Sequence, residues 1–163
     1  APSVPFKVVD LLNPYADDKL VGELAAVGLQ NVGFGIETLS WKNRGSHLSK
    51  VDWDSLHQVA KNFKRHGVLG KAYVQIGLPG QTREDVLFTY ALLTDLGLRP
   101  RFTGSTPFWK LATMTVEQLD QEDLRRWDRK SYYDPRCGLS FGEFYTLITS
   151  PKSFVLEAGA WAA

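Results

Sequence analysis

Two short segments of the chain combine residues able to bind a ligand with glycines that bring backbone close to it. The first, GFGIET over residues 33–38, sets two glycines in an apolar run and ends in a carboxylate and a hydroxyl. Glycine weakens a strand, so its presence often marks the close approach of a ligand or another backbone. Glu37 is able to accept hydrogen bonds from a ribose or an amine. Alternatively, the glycines only relieve packing and Glu37 is a solvated charge, and the segment alone leaves both interpretations open.

The second segment is VQIGLPGQT over residues 74–82. Its Pro-Gly pair predicts a tight turn between a strand and a helix. Such a turn leaves Ile76 and Leu78 beside backbone groups, which is a suitable platform for a flat base. An ordinary strand-to-helix turn explains the same residues, so a binding role needs further support.

Periodicity predicts an alternation of strands and helices around these segments. Apolar runs predict strands over residues 6–10, 32–37, 71–77 and 101–104. Helical spacing predicts the helices between them, which begin near Asp17, Asp52 or Asp54, and Thr82 and stop at Gly28, Gly67 and Gly97. Beyond Ser105 the pattern changes, and helices are predicted over residues 115–130 and 141–148.

The predicted fold is α/β, with about four parallel strands, crossover helices and C-terminal helices. Strands joined by crossover helices form parallel sheets, and four of them make half of an eight-stranded TIM-type barrel. We expect residues 1–107 to form this half (partial) barrel and residues 108–163 to form a helical extension packed on the same domain. An open sheet edge is usually covered or paired. We therefore expect association with a missing N-terminal half, a partner chain or a second copy.

Ligands of parallel α/β sheets bind at the carboxyl ends of the strands, where loops diverge and helix N-termini present N–H groups. In this chain, those ends are Asp10, Glu37 with Thr38, Gly77 to Gly80, and Thr103 to Ser105. A small-molecule substrate is therefore expected at this edge.

The two segments also carry a resemblance to a known family. GIET followed by IGLPGQTRED resembles the fourth and fifth barrel strands of radical S-adenosylmethionine (radical SAM) enzymes. The elongator-like branch, with its many cobalamin-binding members, is the most similar. The LSKVDW and KRHGV stretches between the segments and DDKLVGELAAVGLQNVGFGIE before them fit the same pattern. The resemblance covers roughly residues 6–107.

The resemblance implies a cofactor and a set of binding residues. It assigns Glu37 and Thr38 to the ribose or methionine part of SAM. It assigns the adenine contact to Val74, Ile76, Leu78 and Pro79. The substrate would face Asp10, which lies at the first strand end, and Thr103, Ser105 and Thr106 in the sixth-strand region.

One departure from the family pattern limits what this chain does alone. The CxxxCxxC loop that binds the four-iron cluster is absent, and Cys137 is the single cysteine. Cleavage of SAM to a radical needs an electron from that cluster. We therefore expect the cluster in a missing half and no radical chemistry from this chain by itself. The chain is then interpreted as truncated, processed or cut from a longer one.

Composition bounds the remaining possibilities. The formal net charge of +1 gives no field to gather nucleic acid or an anionic membrane, and a cytoplasmic location is expected. His47, His57 and His66 are too scattered to propose a metal site. Three hypotheses remain open: a part of a radical SAM enzyme, a non-catalytic module that binds SAM, a nucleotide or a protein, and a distinct enzyme that uses carboxylates such as Asp10 and Glu37.

Overall fold

A computed structural model gives the fold of the chain and describes residues 5–9, 16–37, 53–105, 111–121 and 132–154. Within these ranges, strands and helices alternate up to residue 104, and two further helices follow. The elements in chain order are β1 (Phe6–Val9), α1 (Asp18–Ala26), β2 (Leu29–Glu37), α2 (Trp53–Arg65), β3 (Leu69–Ile76), α3 (Arg83–Asp95), β4 (Arg99–Gly104), α4 (Val116–Gln121) and α5 (Phe141–Thr149).

The chain divides into two compact units. The first comprises residues 1–74 and 84–101, and the second comprises residues 75–83 and 102–163. The division falls within two strands, after Val74 near the end of β3 and after Arg101 in the middle of β4. The sequence-based division at residue 107 stays a prediction.

The four strands form one sheet in the order β1-β2-β3-β4. The β1–β2 and β2–β3 pairs are parallel, with Val8 beside Val32 and Phe34 beside Ala72. The predicted α/β class with a parallel sheet is therefore confirmed for three strands, and β4 is hydrogen-bonded next to β3.

Helices α2 and α3 both end in the same hydrogen-bonded motif, and this motif sets where the next strand begins. Gly97 has a φ of 74° and donates to the carbonyl of Thr94, while Leu98 donates to the carbonyl of Leu93. This pair of bonds is a Schellman motif, in which a left-handed glycine closes the helix and the next apolar residue packs back on it. Gly67 and the buried Val68 do the same at the end of α2.

Because the chain enters the sheet directly after each motif, β3 and β4 begin two residues earlier than predicted, and β2, which follows α1, begins three residues earlier. Polar residues at the strand starts, such as Gln30 and Asn31, hide these starts in the sequence. The positions of the glycine stops were predicted correctly.

The core of the first unit lies between the sheet and its helices. Val32, Phe34 and Ile36 of β2 are fully buried, and the Phe34 ring lies 6.1 Å from that of Phe63 on α2. Gly70 of β3 belongs to the same layer, since a methyl group there would lie 2.5 Å from Leu98 and 2.9 Å from Phe63. A larger residue at position 70 would not fit this core.

Side-chain bonds connect α1 to α2. Asp18, in the first turn of α1, pairs with Arg65 at 2.9 Å and with His66 at 3.0 Å. These bonds, with the His66 hydrogen bond as the largest cause, hold the pKa of Asp18 below its usual range. The buried Asn62 side chain also donates to the carbonyl of Ala16 at 3.1 Å.

The core of the second unit is built around α5. Phe144 and Leu147 of this helix are buried with Leu139 and Phe154. The helix begins with a capping box between Ser140 and Glu143, which satisfies donors that a helix start leaves free. Of the predicted helix over residues 115–130, the structure describes α4, and residues 122–130 lie outside the described part. Among the helices of the described residues, none has the length and apolar character that crossing a membrane requires.

Candidate functional site at the strand ends

The carboxyl end of β2 carries an irregularity in its pairing with β3. Gly35 lies beside Tyr73, yet Glu37 lies beside Val74, so β2 advances two residues while β3 advances one. Such β-bulges locally re-aim a strand and are over-represented next to active sites. The backbone of Glu37 is thereby placed at the same edge as the strand that leads into residues 77–82.

The residues assigned to adenine differ strongly in exposure. Val74 is 1% exposed, Ile76 is 0% and Leu78 is 5%, whereas Pro79 is exposed. The three apolar side chains therefore support the strand end from within the core, and Pro79 presents the surface of the turn. Their contact with a ligand stays a prediction.

The other face of β3 is open. Burial alternates along the strand, so Lys71, Tyr73 and Gln75 lie on the face opposite the buried Val74. The Tyr73 side chain crosses to β2, where a methyl group on Gly33 would lie 2.9 Å from the ring. Gly33 therefore relieves packing against a tyrosine of the same chain, which is the alternative interpretation of this segment, and the close approach of a ligand or another backbone stays a prediction. Tyr73 was not identified from the sequence.

The turn after β3 has the geometry that its Pro-Gly pair predicts. Gln81 donates its backbone N–H to the carbonyl of Leu78 at 3.0 Å, and Gly80 has a φ of 76°. Proline at the second position and a positive φ at the third define a type II turn. Gly77, with a φ of 80°, begins this segment directly after the strand.

The side chain of Gln81 fixes this turn to the strand end. It is 2% exposed, accepts a hydrogen bond from the Gly77 N–H at 2.9 Å and donates to the carbonyl of Gln75 at 3.2 Å. An amide is suited to this place because it has both an acceptor and a donor. This role was not predictable from the sequence, since a glutamine after Pro-Gly looks like any polar turn residue.

Within the second unit, Ser105, which is predicted to face the substrate, lies beside Ile76, which is predicted to contact adenine. The backbone N–H of Ser105 donates to the carbonyl of Ile76 at 3.0 Å. Ser105 and Thr103 are both half-buried. Asp10, Thr38 and Thr106 lie outside the described residues, so their assignments stay predictions.

Within the second unit, Arg83 lies close to Glu143 and Phe154. Nε of Arg83 lies 3.2 Å from Oε1 of Glu143, close enough for an ion pair but not aligned as a hydrogen bond. The Arg83 guanidinium also lies 5.5 Å from the centre of the Phe154 ring. The Ser140 backbone N–H donates to Glu143 and is the largest cause that holds its pKa below the usual range.

A groove of about 510 Å³ lies on the first unit, away from the strand ends. It runs between α2 and the end of α3 and includes His57, Lys61, Lys64 and Asp95. These four side chains are exposed, and none of the predicted site residues lines the groove. The groove therefore does not test the predicted site at the strand ends, which stays a prediction.

Comparison with known proteins gives a partial match to solved structures. No family model matches the chain, and no curated protein matches it. The chain is similar to the radical SAM methyltransferase TsrM from Kitasatospora setae, solved with cobalamin and a [4Fe-4S] cluster bound. That match has 21% identity and a TM-score of 0.44, and it covers 54% of this chain and 18% of the other.

A second structure of TsrM, with tryptophan substrate and a SAM analog bound, matches at 21% identity with a TM-score of 0.43. It covers 53% of this chain and 17% of the TsrM chain. This chain therefore spans less than a fifth of the length of the solved chains that it matches.

Proposed function

We propose that this chain is part of a radical SAM enzyme and supplies half of a partial barrel, with its SAM-binding strand ends. The observation that carries the proposal is the parallel pairing of Glu37 with Val74. It supports the proposal because each of the two family-like segments includes the carboxyl end of a strand, and these strands, β2 and β3, are parallel neighbours in one sheet.

The chain's own residues would bind and orient the cofactor. The exposed Pro79 and Gly80 offer a turn surface to a flat base, and buried Leu78 supports that turn from below. Glu37 would accept hydrogen bonds from the ribose hydroxyls or the amino group. When bound and reduced, SAM supplies a carbon-centred radical.

The iron–sulfur cluster does not fit this chain. A four-iron cluster needs several cysteine thiolates, and Cys137 is the single cysteine of the sequence. Our proposal therefore places the cluster on a missing half or a partner chain, in a cytoplasmic enzyme that acts on a small molecule. Methyl transfer and cobalamin binding are open to such an enzyme and are not assigned to this chain.

The single cysteine favours a second candidate function. A half-barrel without cluster ligands could serve as a non-catalytic module that binds SAM or a nucleotide, or that contacts another protein, and assists an enzyme. The coding sequence upstream of Ala1 separates the two candidates. A CxxxCxxC segment there supports the enzyme, and a native start near residue 1 supports the module.

Calorimetric titration of SAM into the purified chain tests the ligand site shared by both candidates. We expect saturable binding that weakens about fivefold or more in Glu37→Gln, because a hydrogen bond to a charged group contributes more than about 1 kcal/mol. Glu84→Gln, at an exposed position of α3, is the matched control and should bind like the wild type. Absence of binding by the wild-type chain would rule out the SAM site.

A further inference from the structure

Residues 132–139, here called the strap, are joined to the type II turn by two backbone hydrogen bonds. Gly80 donates to the carbonyl of Arg136 at 3.1 Å, and Gly138 donates to the carbonyl of Gln81 at 2.7 Å. A type II turn is closed by the bond between its first and fourth residues. The N–H of Gly80 is therefore free of the turn's own bond, and the strap supplies its acceptor.

Hydrogen bonds within the strap hold its residues to one another. The Asp134 carboxylate, whose side chain is 5% exposed, accepts hydrogen bonds from the backbone N–H and the guanidinium of Arg136. The Tyr133 hydroxyl donates to the carbonyl of Leu139 at 2.6 Å. Since a buried carboxylate is costly unless it is paired and hydrogen-bonded, these bonds favour one conformation of the strap. It therefore meets the turn as a preformed element.

The strap and the turn lie close together at Gly138, so an added side chain there would be crowded. A methyl group there would lie 3.1 Å from the carbonyl oxygen of Gln81 and 3.4 Å from the Cα of Thr82. Both neighbours are backbone atoms and cannot rotate away. Gly77 is confined in a similar way, because a methyl group on it would lie 3.0 Å from the Phe144 ring.

We propose that the strap is a positioning element for the ligand-binding turn: it holds residues 77–82 in the conformation that presents Pro79 and Gly80. This inference rests on the proposed function, because the turn is the assigned adenine platform. The expected consequence is that loosening the strap lowers the affinity of the chain for SAM. The Asp134 and Gly138 region thus acts on the ligand through the turn and does not contact it.

The test uses Gly138→Val and a milder Gly138→Ala, with Gly142→Ala as the matched control. Gly142, on α5, has open space where a methyl group would be added. Amide exchange measured by NMR should become at least tenfold faster for Gly80 in Gly138→Val, with a smaller change in Gly138→Ala. The amide of Phe34 in the first unit should be unaffected. In the same variants the SAM dissociation constant should rise at least fivefold.

The outcomes separate this inference from the proposed function. Unchanged amide exchange at Gly80 in both variants would overturn the proposed role of the strap. Faster amide exchange at Gly80 with a SAM affinity equal to that of the wild type would overturn it as well. Faster exchange of Phe34 together with Gly80 would show a general loss of stability and also overturn it. If the wild type binds no SAM, the proposed function fails, while faster exchange confined to residues 77–82 still supports the strap as the element that holds the turn.

Discussion

Replacing Gln81 by methionine tests whether one side chain fixes the turn to the end of β3. Methionine has a similar length but neither donates nor accepts as an amide does. The change removes the acceptor for the buried Gly77 N–H and the donor to the Gln75 carbonyl, while the side chain stays in a place that is 2% exposed.

The expected cost follows from these two bonds. A buried N–H left without a partner costs about 1–3 kcal/mol, and loss of the second bond costs about 0.5–1.5 kcal/mol. Burial of the more apolar methionine offsets roughly 1 kcal/mol of this. The net loss in the free energy of unfolding should be about 2 kcal/mol.

Urea denaturation followed by circular dichroism measures this change. With a slope of about 2 kcal/mol per molar urea, the midpoint should fall by roughly 1 M. Gln121→Met, at an exposed position at the end of α4, is the control and should stay within about 0.5 kcal/mol of the wild type. Equal midpoints for the two variants would refute the role assigned to Gln81.

Three further predictions concern the first unit. Gly70→Ala should lower its free energy of unfolding by about 1–3 kcal/mol through overpacking, and an unchanged urea midpoint would contradict the packing described. Gly33→Ala should lower the free energy of unfolding in the wild type, and it should lower it less in a Tyr73→Ala background. If the losses of the two single variants add up to that of the double variant, residues 33 and 73 do not interact. Because the pKa of Asp18 is lowered in the folded state, its contribution is present above pH 3.8 and is lost as pH falls through the lower folded value. Asp18→Asn should therefore flatten the acid side of a urea-midpoint profile below about pH 4, and an unchanged slope would count against the His66 pair.

The order of elements was predictable because the sequence repeats one simple pattern. Each of the first three helices stops at a glycine, and the apolar run after it forms a strand. The Pro-Gly turn was also predictable, since proline fixes one backbone angle and glycine permits the positive φ that follows. These features depend on residues close together in the chain.

The candidate site was predictable only in part. The end of β2 at Glu37 was predicted correctly, and β3 ends at Ile76, one residue before the predicted end, whereas the binding roles assigned to these strand ends stay predictions. The bulge before Glu37 was not predictable, since it depends on how β2 meets β3 and not on any residue type. The burial of Val74 and Ile76 follows from the packed face of β3, which periodicity alone did not assign.

The element order, the glycine stops, the tight Pro-Gly turn and the single cysteine could all be read from the sequence. The fold was needed to find Tyr73 close to Gly33, the bonds from Gln81 back to the strand end and the two backbone bonds between the strap and the turn. The reason is physical. Local backbone preferences are set by neighbouring residues, whereas these contacts join residues whose partners are chosen by packing.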